Sequence, residues 1–351
     1  MLITQLNWLR KNLFNSWYNS LLTILCLLLI IQFIRKLVLW TITEAQWQVV
    51  QINLALFLVG RFPQNSYWRL WIVLGIITVL TIITWSVFTT QKNIIKRKFL
   101  NHILPWLAPA WLLSCPLIFW LMGGGFGLQS ISTNLWNGLI LTLLMAIISI
   151  VISFPLGILL ALGRTSNLFI IRWFSILYIE IIRGLPLIGI LFIAQVMLPL
   201  FLPIELRLDR LIRGIAGLVL FSAAYMAENV RGGLQSIPKG QIEAAKALGL
   251  PTPLVVILVV LPQALRAVIP AIVGQFIGLF KDTSLLSLVG LVELTGISRS
   301  ILAQPQFIGR YAEVYIFVGL VYWVFCYSMS LASRRLEKQL INYHLDSLYL
   351  S

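Results

Sequence analysis

Charged residues are scarce in this sequence. Asp, Glu, Lys and Arg make up only 11% of its 351 residues, while hydrophobic residues make up 60%. A soluble globular domain contains about 25% charged residues, so the composition excludes that class of protein. The chain is therefore predicted to be a polytopic membrane protein.

Residues that build metal sites and catalytic centres are also few. There are three cysteines and two histidines. Cys26, Cys115 and Cys326 all fall in apolar stretches with no CxxC spacing, and His102 and His344 are far apart in the sequence. We therefore expect buried apolar cysteines, no metal site and no catalytic residue.

A nucleotide-binding motif is missing as well. The glycine-rich run at 122–127 is followed by no Lys-Ser/Thr pair, and the pattern GxxxxGK[ST] occurs nowhere in the chain. This run is better interpreted as a connection on the outer side of the membrane. If ATP powers this protein, another polypeptide must bind the ATP and its Mg²⁺.

Long apolar runs are what the sequence has in abundance. A helix needs about 20 apolar residues to cross about 30 Å of hydrocarbon. Eight runs meet that length, at approximately 20–42, 69–89, 104–122, 136–162, 173–200, 213–232, 264–290 and 313–333. A transmembrane barrel would need alternating segments of about 10 residues instead. The fold class is predicted to be all-α, with about eight transmembrane helices.

The chain divides into a shorter and a longer membrane region. We expect an N-terminal extension of three spans at 1–122, an outer connection at 123–135 and a five-span core at 136–335. The core contains a polar cytoplasmic loop at 233–263, and a cytoplasmic tail follows at 336–351. Aromatic residues of the outer segment 43–69, including Phe62 and Trp68, are expected at the membrane–water boundary.

The formal net charge of +15 is carried by residues in the loops between spans. More of these Lys and Arg residues fall on the side of the polar loop than on the other side, which predicts that this side is cytoplasmic. Both termini are then cytoplasmic in the plasma (inner) membrane, and nucleic acid is not an expected partner. The basic loop 91–102 is expected either to contact anionic membrane lipid or only to fix the topology.

The polar loop of the core has strong local signals. Ser236 is predicted to cap a helix whose first turn holds Pro238, and Gly249 to end that helix in the left-handed conformation. Thr252 offers a second helix start, and Pro262 is expected to bend the chain as it returns to the membrane. The loop is predicted to be a compact helix–turn–helix that contacts a cytoplasmic partner.

Ionisable residues also occur inside the apolar runs. Glu180 and Arg183 are spaced i, i+3, as are Glu228 and Arg231, and the run 281–284 reads Lys-Asp-Thr-Ser. Such residues are costly in hydrocarbon unless they are paired or line a polar cavity. A polar pathway is favoured over simple local ion pairs, and Arg183 is expected about halfway across the membrane.

Three sets of residues together resemble the permease subunit of an ATP-binding cassette importer of the polar amino acid type. The cytoplasmic loop of these permeases has the form EAA, three residues, Gly, nine residues, Ile, one residue, Leu-Pro. The matching residues are Glu243-Ala244-Ala245, Gly249 and Leu261-Pro262, with Val259 in place of Ile. The amino acid branch is indicated by the runs at 182–187, 227–233 and 279–285. The resemblance covers 132–335, and the extension resembles longer permeases of acidic, neutral or general amino acid uptake systems.

The resemblance implies a type I importer core that forms half of a translocation pathway by alternating access. It implies that the Glu243 loop is a coupling helix that docks on a separate cytoplasmic ATPase, with no cofactor in this chain and no enzymatic activity of its own. A second permease subunit is required, either a self-copy or, as we expect, a related shorter chain. An extracytoplasmic binding protein would deliver the amino acid.

Residues for the substrate pathway follow from the intramembrane charges. Arg183 or Lys281 are expected to meet the carboxylate of an amino acid, and Glu180, Asp282 or Glu228 its ammonium group, while Thr283 and Ser284 supply hydroxyls. Two other classes stay open. One is a stand-alone transporter driven by an ion gradient, with Asp282 and Glu180 as ion or proton groups. The other is an integral membrane enzyme, for which no catalytic constellation is visible.

Overall fold

The computed structural model describes residues 8–9, 11–89 and 94–349. Side chains are described for these residues except in 88–102 and 338–349. Within these ranges the chain is helical and contains no strand. The prediction of an all-α polytopic fold is therefore confirmed. The basic side chains of the loop 91–102 lie outside the described residues.

Among its described residues from 17 onward, the extension contains three long α-helices and two short ones. In chain order they are α1 (Trp17–Thr43), α2 (Gln48–Ile52), α3 (Leu54–Val59), α4 (Tyr67–Thr89) and α5 (Ile94–Gly123). α1 has no buried residue, so its apolar side chains are not covered by the rest of the described chain. The three long helices correspond to the three predicted spans.

The core contains nine helices in the part of the chain that the structure describes. They are α6 (Gly138–Arg164), α7 (Phe169–Gly184), α8 (Leu187–Phe201), α9 (Arg210–Ser236), α10 (Lys239–Ala247), α11 (Thr252–Ala267), α12 (Ile269–Asp282), α13 (Leu294–Leu302) and α14 (Tyr311–Tyr349). A 3-10 helix at Thr283–Val289 prolongs α12. α14 runs without a break into the predicted tail, as far as Tyr349.

The fifth predicted span, 173–200, is not one continuous helix as the apolar run suggested. It is divided into α7 and α8, which meet at an angle of 103°. The break falls at Leu185–Pro186, where Leu185 is extended with φ −99° and ψ 142°. A residue before proline is disfavoured in the helical region, and proline has no N–H to continue the helix. The break between α7 and α8 therefore has a local cause, the proline at position 186.

α6 and α9 form the centre of the core and run parallel to each other. A Cβ at Gly214 would lie 2.9 Å from Met145, and a Cβ at Gly157 would lie 2.5 Å from Met226. Both contacts advance by twelve residues along each helix, as parallel helices require. The bent pair α7–α8 must therefore run once in the opposite direction, and counting it as one span gives up to eight candidate membrane spans in the described residues.

The extension packs through α2 and α3 against the end of the core that lies away from the polar loop 233–263, here called the outer end. Phe57 is completely buried there, and Gly60 approaches the core so closely that a Cβ would lie 2.4 Å from Asn137. The backbone N–H of Gln46 donates to Glu313 Oε1 at 3.0 Å. Phe62 is buried in a cluster with residues of α4, α5 and α6, and Trp68 is exposed. The place of these aromatic residues at the membrane–water boundary stays a prediction.

Glu293 holds the outer end of the core together. The sequence indicated only an outer loop, but this carboxylate is fully buried and caps α13, accepting from the N–H groups of Thr295 at 2.8 Å and Gly296 at 3.0 Å. Tyr322 of α14 donates to it at 3.1 Å, and the Thr142 hydroxyl of α6 lies 3.5 Å away. Burial raises the pKa of Glu293 to about 7.

A raised pKa in a folded protein predicts a loss of stability at higher pH. The folded chain holds the proton of Glu293 up to about pH 7, whereas its ordinary pKa is 4.5. The stabilisation is therefore complete below the ordinary pKa and is lost as pH rises through about 7. We expect the thermal unfolding temperature of the purified protein to fall between about pH 4.5 and about pH 7.

The variant Glu293→Gln stays uncharged, so its unfolding temperature should depend less on pH across that interval. Glu205→Gln, at an exposed carboxylate in the described part of the chain, should keep the wild-type dependence. Equal pH dependence in Glu293→Gln and wild type would contradict this account of Glu293.

Candidate functional site

The polar loop folds as a helical hairpin docked on the end of α9. Ala245 of α10 is buried against Val255 and Val260 of α11, and Ile237 packs on the same cluster. A Cβ at Gly233 would lie only 2.5 Å from the carbonyl oxygen of Ala264, so α9 and α11 are in backbone contact. The hairpin α10–α11 is thus fixed to α9 rather than attached by a free linker.

The turn of the hairpin agrees with the sequence at Gly249. Its φ is +81°, the left-handed conformation that glycine adopts without steric cost, and its N–H donates to the Lys246 carbonyl at 2.9 Å. The predicted role of Ser236 is wrong. Ser236 is the last residue of α9 and its hydroxyl donates to the Gly233 carbonyl at 2.8 Å, so α10 begins at Lys239 without a side-chain cap.

The hairpin presents a small apolar surface to the solvent. Glu243 and Ala244 are exposed on α10, whereas Ala245 faces inward. Leu248 at the turn is 83% exposed. An exposed leucine beside small residues is a surface that a partner groove can cover.

The return of the chain towards the membrane contains a widened turn. Residues Val255–Val260 of α11 form a π-helical stretch, and Leu261 and Pro262 follow it directly. Proline cannot donate to the preceding turn and its ring needs room there, which a wider turn provides. Thr252–Ala267 is thus one helix with a wider turn before Pro262, and the expected bend at Pro262 stays a prediction.

A cluster of five charged side chains joins α6, α7 and α9. Arg164 Nη1 lies 2.9 Å from Glu180 Oε1 and 3.5 Å from Glu228 Oε2, and Arg183 Nη1 lies 3.7 Å from the same Glu228 oxygen. Arg231 pairs with the other oxygen of Glu228. The local pair Glu228–Arg231 therefore forms, whereas Glu180 and Arg183 each pair with another helix.

The cluster lies in the half of α9 that leads into the hairpin. Glu228 precedes Ser236 by eight residues, and the Arg183 guanidinium stacks on the Tyr225 ring at 5.6 Å. α7 crosses the end of α6, since a Cβ at Gly163 would lie 2.3 Å from Ser175 Oγ. Arg164 and Tyr225 could not be assigned to this cluster from the sequence because their contacts are long-range.

The second set of predicted pathway residues lies at the end of α12. Lys281 is exposed and Asp282 is half-buried, and within the described residues neither forms an ion pair. Thr283 is fully buried and donates to the Phe280 carbonyl at 2.7 Å, so its hydroxyl does not point to an open space. Ser284 is half-buried. No three metal-ligating side chains converge in the described part of the chain.

Two relatives of this chain align with both its core and its extension. It is 41% identical to the inner membrane amino-acid ABC transporter permease protein YhdY of Escherichia coli K12, over 95% of this chain and 92% of the relative. It is 33% identical to the glutamate/glutamine/aspartate/asparagine transport system permease protein BztC of Rhodobacter capsulatus, over 97% and 94% of the two chains.

A solved structure matches the core. The crystal structure of an amino acid ABC transporter with histidines aligns with a TM-score of 0.52 at 31% identity, over 57% of this chain and 92% of that chain. The model of the family described as binding-protein-dependent transport system inner membrane component matches residues 153–342, which include the hairpin and the charged cluster. The predicted resemblance to importer permeases is thereby confirmed, and the chain belongs to the binding-protein-dependent transport system inner membrane component family.

Proposed function

We propose that this chain is a membrane-spanning subunit of an ATP-driven amino acid uptake system in the plasma membrane. The observation that carries the proposal is the hairpin α10–α11, which presents the sequence Glu243-Ala244-Ala245 on a helix docked against a membrane span. The names of the full-length relatives support amino acids as the substrate class. ATP and Mg²⁺ bind to a separate cytoplasmic ATPase.

The hairpin can transmit motion from the ATPase to the core, because one of its surfaces is exposed and the other is packed on α9. Its outer surface, with Glu243 and Leu248, is free to enter a groove on the ATPase. Its inner surface is joined to α9 by the buried Ala245 and by the backbone contact of Gly233 with Ala264. Because packed elements move as units, a displacement of α10 is passed to α9 and to the core.

The remaining partners follow from the geometry of a half-pathway. A second, homologous permease subunit completes the channel, and we favour a related shorter chain over a self-copy. An extracytoplasmic binding protein delivers the amino acid to the outer side, where the extension adds α2 and α3 to the surface of the core. Both termini then lie in the cytoplasm.

The pathway itself is assigned to two groups of charged side chains. Lys281 and Asp282, which are unpaired within the described residues, are available to meet the carboxylate and the ammonium group of an amino acid, with Ser284 beside them. Glu180, Arg183 and Glu228 lie nearer the cytoplasmic side and are occupied by one another and by Arg164. Thr283 contributes by holding the end of α12.

The role of the hairpin is tested by the variant Gly249→Asp. An aspartate at φ +81° is strained and adds a charge to the docking surface. We expect the subunit to insert normally while ATP-dependent amino acid uptake by the assembled complex falls by about tenfold, the effect of about 1.4 kcal/mol. Uptake of radiolabelled amino acid into proteoliposomes measures this.

The matched control for that variant is Gly240→Asp. It adds the same charge to the first turn of α10, at an exposed glycine with ordinary helical backbone, where an acidic residue is tolerated. We expect Gly240→Asp to retain most of the uptake. Wild-type uptake by Gly249→Asp would refute the coupling role of this turn.

The pathway assignment is tested by Lys281→Met and Arg183→Met. Each change removes a cation but keeps most of the apolar side chain, so a lost ionic contact with substrate should reduce uptake by about 10- to 100-fold. Assembly of the complex is checked by size-exclusion chromatography. Arg172→Met, at an exposed position of α7, is the control. Normal uptake in both test variants would remove these residues from the pathway.

A further inference from the structure

Two arginines of the charged cluster have no place in the substrate pathway described above. Arg164 is the last residue of α6, and Arg231 lies one turn after Glu228 on α9. Together with Arg183 they place three guanidinium groups around two carboxylates. The cluster therefore carries one excess positive charge. Its ion pairs, which are formed by side chains, link α6, α7 and α9.

Glu228 is the centre of this cluster, and its two oxygens are held differently. Oε1 accepts hydrogen bonds from Arg231 Nε at 2.9 Å and from Arg231 Nη2, both within α9. Oε2 faces Arg164 and Arg183 at 3.5 and 3.7 Å. This oxygen is buried, yet it accepts no hydrogen bond from any described residue.

The difference between the two oxygens decides which contacts can open. A carboxylate that accepts hydrogen bonds from an arginine is held more strongly than one held by charge at 3.5 Å or more. The bond within α9 is thus the fixed one, and the contacts of α9 with α6 and α7 are the weaker ones. A buried carboxylate oxygen without a hydrogen bond also favours any rearrangement that gives it a donor or water.

The cluster is also connected to the hairpin. α9 carries Glu228 and Arg231 and, two residues after Arg231, Gly233, which touches Ala264 of α11. Any displacement of α10 and α11 that moves Gly233 must therefore move the Glu228 carboxylate relative to Arg164 and Arg183. The ends of α6 and α7 are packed on each other at Gly163 and Ser175 and form the other side of the contact.

We propose that the ion pairs of Glu228 with Arg164 and Arg183 form a latch that keeps the cytoplasmic half of the pathway closed and separates when the ATPase moves the hairpin. Glu180 and Arg231 are positioning residues. Arg164 joins both carboxylates, and Arg231 fixes the orientation of Glu228. The inference rests on the proposed function, because it is the ATPase that opens the latch.

The latch is tested by reversing and then exchanging charges in the complete complex, reconstituted in proteoliposomes. Arg164→Glu places three carboxylates beside two guanidinium groups and should open the latch. We expect ATP hydrolysis without substrate to rise about fivefold, which corresponds to a partly exposed ion pair, and the amount of substrate taken up per ATP to fall. The double variant Arg164→Glu with Glu180→Arg restores an ion pair and should return both values towards wild type.

Arg172→Glu is the matched control for the charge change. Arg172 is exposed on α7, and no described residue forms an ion pair with it, so the ratio of uptake to hydrolysis should stay at the wild-type value. A double variant that is no better coupled than Arg164→Glu would overturn the latch, as would an Arg164→Glu complex with wild-type coupling. If the wild-type complex takes up substrate without ATP, the proposed function fails instead.

A distance measurement covers the case in which Arg164→Glu does not assemble. Spin labels at the exposed positions Thr165 and Gln235, in a chain whose cysteines are replaced, report the separation of the α6 end from the α9 end. We expect the separation to change between the nucleotide-free and the ATP-trapped complex. An unchanged distance would contradict the latch.

Discussion

The Glu228 carboxylate, surrounded by three arginines, is the interaction on which the half of the core beside the hairpin depends. Ionisable side chains are expensive in an apolar molecule unless they are balanced. Here the balance is made between helices, because Arg164 comes from α6, Arg183 from α7 and Arg231 from α9 itself. The same need for balance explains why α7 stays against α6 and α9 although the chain turns by 103° directly after it.

The outer end of the core is held by a different kind of contact. Glu293 is fully enclosed and receives four donors from α6, α13 and α14, and the extension adds close backbone contacts at Gly60 and Asn137. These contacts are hydrogen-bonded and tightly packed, whereas the contacts of Glu228 with neighbouring helices are ionic and longer. The outer end of the core is therefore rigid. The contacts that can rearrange lie beside the hairpin that contains Glu243-Ala244-Ala245.

The sequence predicted the elements that depend on local patterns. The membrane spans, the helix–turn–helix of the polar loop and the left-handed Gly249 all follow from apolar length or turn chemistry. The break at Leu185–Pro186 was missed because an apolar run was read as one span, although the proline was visible. The burial of Phe62 and Glu293 and the pairing of Arg164 with Glu180 depend on contacts between segments far apart in the chain, which no local pattern encodes.

The central claim is that motion from an external ATPase reaches this chain through the hairpin α10–α11. Its most direct test is amino acid uptake into proteoliposomes that contain the purified subunit with its partner permease, with and without the ATPase, ATP-Mg²⁺ and an ion gradient. The account predicts uptake only when the ATPase and ATP are both present, whether or not a gradient is applied. Uptake by the membrane subunits alone, driven by an ion gradient, would contradict it.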